Sequence, residues 1–309
     1  MLEKFSEFIE IKKSNIGHTK YSVVIPTFNR IETLKNTINS AIKQNGINDY
    51  RIIVVDNNPE RNDDTELFLN TINDYRLSYY KNSTNVGMVN NWNQCILVAD
   101  SDWIVFVHDD DILTKDCLKN IDETLSCHPD VDAVLPNFIQ INNPFFKDKY
   151  NNTKTKYCCI KSFIKSFFRI NMPIAANLFL DNIYGPPTCG LALRRESVVS
   201  FGGYSCRCIA ADWDFMMHFS RKHKIIKCKK QTGLYLWAVN ASLKDSTLER
   251  IRNDRICIIK DIVENSFICR LYYKLLQNDF EKKFKSKTTD YVDYSYLYKF
   301  IRKYYSLKV

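Results

Sequence analysis

Residues 103–111, Trp103-Ile104-Val105-Phe106-Val107-His108-Asp109-Asp110-Asp111, decide how this chain is read. A short apolar run rich in β-branched residues is the pattern of a strand buried on both faces. Three carboxylates follow it directly. Like charges packed that closely raise one another's pKa and destabilise the folded state, and a divalent cation relieves both effects by sharing its oxygen ligands among them. The stretch therefore predicts a buried strand whose carboxyl end carries half of a site. The other half is sought at neighbouring strand ends.

Upstream, short β-branched runs alternate with longer helical patterns, the signature of a parallel sheet wrapped by helices. Tyr21 to Ile25 reads as the first strand, stopped by Pro26, and Ile31, Leu34, Ile38, Ala41 and Ile42 share one helical face after it. Arg51 to Val55 is the next strand, closed by the turn formers Asp56-Asn57-Asn58-Pro59. Asp63 or Asp64 caps the helix bearing Leu67, Phe68 and Ile72; Leu77 to Lys81 returns as a strand, and a helix from about Gly87 to Ala99 leads into the strand ending at His108. In open sheets of this kind ligands gather at the carboxyl ends of strands. The loops there are Thr27-Phe28-Asn29-Arg30, Asp56-Asn57-Asn58, Asn85-Val86-Gly87 and His108 to Asp111, four successive polar loops.

Downstream the pattern is mixed. Asn142 to Lys156 reads as a surface loop, Tyr184-Gly185-Pro186-Pro187 as a turn before the strand-like Leu191 to Arg194, and Phe201-Gly202-Gly203-Tyr204 as another turn. A helix is expected to start at Asp212, with Phe215, Met216 and Phe219 as its apolar stripe. From Leu243 onward the chain reads as helical, basic and tyrosine-rich.

At 309 residues and 45% hydrophobic content, the chain is long enough to bury a large core and is not disordered over most of its length. Eleven cysteines without a framework spacing point to reduced thiols. Cys206, Cys208, His218, His223 and Cys228 match none of the paired-ligand spacings of zinc sites. No secretory signal and no uninterrupted apolar span is visible, since Lys165 and Arg169 break the most hydrophobic stretch, so a soluble cytoplasmic protein is expected. The net charge of +9 is concentrated late, with fourteen Lys/Arg against seven Asp/Glu from Arg250 to Val309.

Taken together, these motifs resemble the family 2 glycosyltransferases, inverting enzymes that use nucleotide-sugar donors. The resemblance runs from about Tyr21 to Ser242. Val23-Val24-Ile25-Pro26-Thr27-Phe28-Asn29-Arg30 is similar to the family's opening strand and nucleotide loop, Val54-Val55-Asp56-Asn57-Asn58 to its base-binding strand end, Asn85-Val86-Gly87 with Asn91 to the segment along the nucleoside, and Asp109-Asp110-Asp111 to its DXD motif. The resemblance implies an α/β GT-A fold, Rossmann-like, with a mixed and mainly parallel sheet over residues 1–245 and a helical extension over 246–309. It implies a donor held by Pro26, Thr27, Asn29, Arg30, Asp56, Asn85, Gly87, Asn91, Asp109 and Asp110, with uridine as the base, Asp56 on its imide N–H and Asp109 towards the ribose. Asp111 would hold Mg²⁺ or Mn²⁺ against the diphosphate, ions that suit oxygen ligands. His108 reads as a strand-end neighbour rather than a ligand.

Ala210-Ala211-Asp212-Trp213-Asp214-Phe215 is similar to the family's Glu-Asp-Trp motif, which makes Asp212 the catalytic base. Ala211 stands where relatives carry Glu, and Asn240 where they commonly carry His. Other roles compete: Asp56 as a turn former, Asp212 as a helix cap and Asp214 as a solvated first-turn acid.

The acceptor implied is a glycan or lipid-linked saccharide of bacterial surface polysaccharide or lipopolysaccharide synthesis. The basic, tyrosine-rich tail either docks on an anionic membrane surface, making the protein peripheral at the inner face of the cell membrane, or packs on the catalytic domain. Nucleic acid is not an expected partner. Two other readings remain: a haloacid-dehalogenase-type phosphohydrolase, disfavoured by Leu113 and by the position of the acid cluster after three other strands, and a sugar-nucleotide-binding protein without turnover.

Overall fold

The computed structural model describes residues 7–141 and 188–236, with isolated positions between 247 and 261. The chain divides into two compact units, Met1–Asn142 with Tyr184–Ala241, and Asn143–Ile183 with Ser242–Val309. The described sheets lie in the first. Asn142 to Lys156, the turn at Tyr184 to Pro187, Asn240 and the basic tail beyond 261 are outside the described residues.

The chain runs β1 (Phe8–Lys12), β2 (Tyr21–Thr27), α1 (Ile31–Ile42), β3 (Tyr50–Asp56), α2 (Asp64–Thr71), β4 (Leu77–Asn82), α3 (Met88–Val98), β5 (Trp103–Phe106), β6 (Ile112–Leu113), α4 (Cys117–Cys127), β7 (Ala133–Leu135), β8 (Phe138–Ile141), β9 (Leu191–Arg194), α5 (Arg195–Phe201), α6 (Ala211–Phe219), β10 (Ile225–Lys227) and β11 (Gly233–Leu236). Eight strands form one sheet in the order β1-β4-β3-β2-β5-β9-β7-β10. Strands β4, β3, β2 and β5 are mutually parallel, while β1 and β9 run antiparallel to their neighbours. A second sheet, β6-β11-β8, carries β11 parallel to β8.

Every residue of β2 and β3 is buried, as continuous apolar strands between two helical layers must be. Tyr21, Val23 and Ile25 share a cluster with Leu34 and Ile38 of α1 and Leu69 of α2. Helix α3 packs on β2 and β3 from the other face. The right-handed crossovers this requires bring the strand ends, and the four polar loops, to one edge.

Three expectations need correcting. Strand β2 does not stop at Pro26 but continues to Thr27, with Pro26 opposite Val55. The Thr27 carbonyl accepts from Asn57 N at 2.9 Å and so faces β3, which turns the missing N–H of Pro26 towards β5, where pairing has already ended at Val24 and Phe106. Elements β1, β6, α4, β7, β8, α5, β10 and β11 were not foreseen; β1 is a half-exposed edge strand without a clean alternation. Helix α6 is capped by Ala210, which leaves Asp212 inside its first turn.

Candidate active site at the carboxyl ends of the strands

The ends of β2 and β5 are tied together by their side chains. Thr27 Oγ1 donates to Asp109 Oδ2 at 2.8 Å, and Arg30, at the N-cap of α1, reaches Asp110 Oδ2 at 2.6 Å and Asp109 Oδ1 at 3.6 Å. The cation demanded by the acid cluster is thus supplied in part by the chain itself. Asp109 is nearly buried, and burial followed by the charge of Asp110 pushes its pKa up to about 6.

Asp111 is different. It is fully buried; Oδ1 accepts from Leu236 N of β11 at 3.1 Å, while Oδ2 is buried with no hydrogen-bond partner. Burial, then Asp110, raises its pKa well above the usual carboxylate range. An orphaned carboxylate oxygen in this setting is costly unless a cation completes it. Ligand atoms of His108, Asp110 and Asp111 lie within 4.8 Å of one another, a group that fits a divalent ion. His108, read from the sequence as a mere neighbour, belongs to this group. Its Nε2 lies 2.8 Å from Thr188 Oγ1, its ring stacks on Trp92 at 5.0 Å, and burial lowers its pKa, which favours the neutral imidazole a metal needs.

Next to this lies a row of side-chain amides that sequence reasoning only partly found. Asn57 Oδ1 accepts from Val86 N at 3.0 Å and from Asn82 Nδ2 at 3.1 Å, and Asn57 Nδ2 donates to Asn85 Oδ1 at 2.8 Å. Asn82 Nδ2 also donates to Asn91 Oδ1 at 2.9 Å, and Asn91 Nδ2 to the Val55 carbonyl at 3.1 Å. Asn91 is therefore an internal brace, and Asn57 and Asn82 hold the Asn85–Gly87 loop. Gly87, with φ of 81°, is the N-cap of α3, a backbone state that requires glycine. The density of asparagine between 57 and 93 was the signal available for this network.

Asp56 sits at the end of β3 as expected, with its carboxylate wholly enclosed. Oδ1 accepts from Asn58 N at 2.9 Å; Oδ2 accepts from Tyr79 OH at 2.9 Å and Lys81 Nζ at 3.0 Å. Burial raises its pKa against these three donors.

Asp212 is half-buried, and its Oδ1 accepts from Trp213 N at 2.8 Å. An aromatic wall joins its helix to the acid cluster: Trp92 stacks on His108, meets Tyr204 at 5.3 Å, and Tyr204 packs on Phe215 of α6 at 4.4 Å. The Tyr204 hydroxyl is buried without a partner, and burial followed by the charge of Asp212 makes it harder to ionise. Asp214 is not the solvated acid expected: it is buried, paired with Arg207 Nε at 2.9 Å and with His218 Nδ1 at 3.2 Å. Burial opposes its charge, but the hydrogen bonds from His218 and Arg207 prevail and hold its pKa below the usual value.

The sequence profile described as "Glycosyl transferase family 2" matches residues 22–200. The chain belongs to glycosyl transferase family 2. That membership removes the phosphohydrolase alternative and meets the expectation of a glycosyltransferase. A curated relative, the poly(ribitol-phosphate) beta-N-acetylglucosaminyltransferase TarP of Staphylococcus aureus, is 31% identical over 108 residues, covering 33% of this chain and 32% of TarP. The chain spans between 32% and 56% of the length of the curated relatives it matches. Among solved structures, S. aureus TarS residues 1–349 in complex with UDP-GlcNAc has a TM-score of 0.58 at 19% identity, over 79% of this chain and 66% of that one. The mannosyltransferase PcManGT of Pyrobaculum calidifontis, in complex with GDP-Man and Mn²⁺, has a TM-score of 0.57 at 15% identity, over 82% and 67%. These likenesses establish that the family 2 chain has the mixed, mainly parallel GT-A fold.

Proposed function

We propose that this family 2 chain moves a sugar from a nucleotide-diphosphate donor, UDP-linked, to a hydroxyl of a glycan or lipid-linked acceptor, with inversion at the anomeric carbon. The observation that carries this is the orphaned, buried Asp111 Oδ2 at the end of β5, facing a cation site beside Thr27 and Arg30. Thr27 at the end of β2, with Asn29 and Arg30 after it and the Pro26 backbone before it, lines the nucleotide, Asn85 and Gly87 flank the nucleoside, and Asp109 faces the ribose. Asp111, with Asp110 and His108 beside it, would hold Mg²⁺ or Mn²⁺. Such an ion, when bound, neutralises charge growing on the departing diphosphate. Arg30 adds a fixed positive charge on the same side.

Asp212 takes the proton of the acceptor hydroxyl as the new oxygen–carbon bond forms and the bond from the anomeric carbon to the diphosphate breaks. The half-exposed position of Asp212 in the first turn of α6 supports this role, and the enclosed, paired Asp214 supports none in proton transfer. The name of TarP, with its polymeric acceptor, supports a surface-polymer acceptor for this chain. No helix of the described residues is long and apolar enough to cross a membrane. We assign the basic stretch 246–309 a docking role on anionic lipid from its sequence alone.

The test is a panel of UDP-, GDP- and CDP-linked sugars assayed for binding and slow hydrolysis with and without Mn²⁺. Cation-dependent UDP-sugar binding followed by UDP release supports transfer. Binding without UDP release under any acceptor condition favours the reading without turnover, which Ala211 keeps open.

A further inference from the structure

Asp56 was expected to read the base, and its surroundings assign it another task. Its carboxylate has 0% exposure and already accepts three hydrogen bonds, from Asn58 N, Tyr79 OH and Lys81 Nζ. Lys81 is itself 1% exposed and bridges Asp56 to Asp63 Oδ2 at 3.0 Å, while Asp63 caps α2 through Glu66 N at 2.9 Å. A buried ion pair of this kind, hydrogen-bonded at both ends, fastens β3, β4 and α2 together, and a carboxylate with no exposed surface is not open to a ligand.

The outer surface at the same strand ends consists of amides whose orientation is fixed. Asn85 Oδ1 accepts from Gly87 N at 2.9 Å as well as from Asn57 Nδ2, so its oxygen is turned inward and its Nδ2 outward. Asn58 Oδ1 accepts from Glu60 N at 3.1 Å, so its Nδ2 must be the group that meets Asn29 Oδ1 at 3.0 Å, and this turns Asn29 Nδ2 outward too. A backbone N–H can only donate, so neither amide can flip without losing a bond. Asn29 and Asn85 are both exposed.

We propose that Asp56 supports the site from behind, and that the nucleobase is met instead by the outward Nδ2 donors of Asn29 and Asn85, which read a carbonyl oxygen of the base and leave any ring N–H it carries unread. The proposal rests on the reading of this edge as a nucleotide site. It makes UDP and CDP similar ligands, since uracil and cytosine both carry O2, and ADP a poor one.

Titration calorimetry of wild type, Asp56→Asn, Asn85→Asp and Asn29→Asp with UDP, CDP and ADP tests it. Asp56→Asn is expected to lower Tm yet leave the UDP:CDP affinity ratio within about twofold, whereas Asn85→Asp and Asn29→Asp keep their inward oxygen, keep Tm, and each weaken UDP by about tenfold. A UDP:CDP ratio shifted about tenfold or more by Asp56→Asn, or UDP bound equally well by both aspartate variants, overturns the proposal. If Asp56→Asn does not fold, the other two variants decide. Wild type that binds no nucleoside diphosphate overturns the nucleotide reading itself, and this inference with it.

Discussion

The proposed function divides its labour between Asp111 and Asp212, and Asp214 shows why residue type alone does not assign such roles. Two residues from Asp212 in the same first turn, Asp214 is enclosed by Arg207 and His218. Its pKa is lowered, so its contribution to stability is fully present above its usual pKa of about 3.8 and is lost as pH falls through the lower folded value. Asp214→Asn is therefore expected to cost about 1–2 kcal/mol at pH 6, a gap that closes below about pH 3, as urea titrations at both pH values would show. A gap unchanged between the two pH values would contradict the pairing. Gly233 tests packing: a Cβ there would stand 2.2 Å from Cys189 Sγ, so Gly233→Ala should destabilise by about 1–3 kcal/mol in the same measurement. At this scale the sequence located Thr27, Arg30 and the three aspartates, because charge at a strand end is visible in one dimension. It misread Asp214 as solvated and did not foresee how Asp56 is enclosed, because what neutralises a carboxylate is a partner brought in by folding: Lys81 from β4, Arg207 from the loop before α6.

Among the elements, the parallel strands β2 to β5 and helices α1 to α3 were legible, since continuous apolar runs and 3.6-residue periodicity are local properties. Pro26 was misjudged because its tolerance depends on which neighbouring strand its nitrogen faces. Strand β1 was missed because an edge strand buries too little to leave an apolar signature. The Asn85–Gly87 loop depends on Asn57 for the anchoring of Val86 N. Asn57→Ala removes that acceptor and the partner of buried Asn82, so it is expected to cost about 1–3 kcal/mol and to weaken UDP binding together with stability. Thermal unfolding and calorimetry on one preparation check this, and lowered UDP affinity with unchanged Tm would make Asn57 a contact instead of an anchor.

Across the whole chain, the fold was predictable from the order of its elements, whereas the antiparallel pairing of β9 with β5 and β7 joins segments far apart in sequence and left no local signal. The tail from 246 to 309 is assigned to anionic lipid by composition, and liposome co-sedimentation should fall when the chain is cut after Leu243 or when salt is raised. Indifference to both would remove the membrane from the account. The claim on which everything else depends is that donor binding and proton chemistry reside on different aspartates. Calorimetry of UDP with and without Mn²⁺ on Asp111→Ala and Asp212→Asn, beside an assay of sugar transfer, tests it most directly. The account predicts that both variants lose transfer while only Asp111→Ala loses the Mn²⁺-dependent part of UDP affinity; equal loss of UDP affinity in the two variants would contradict it.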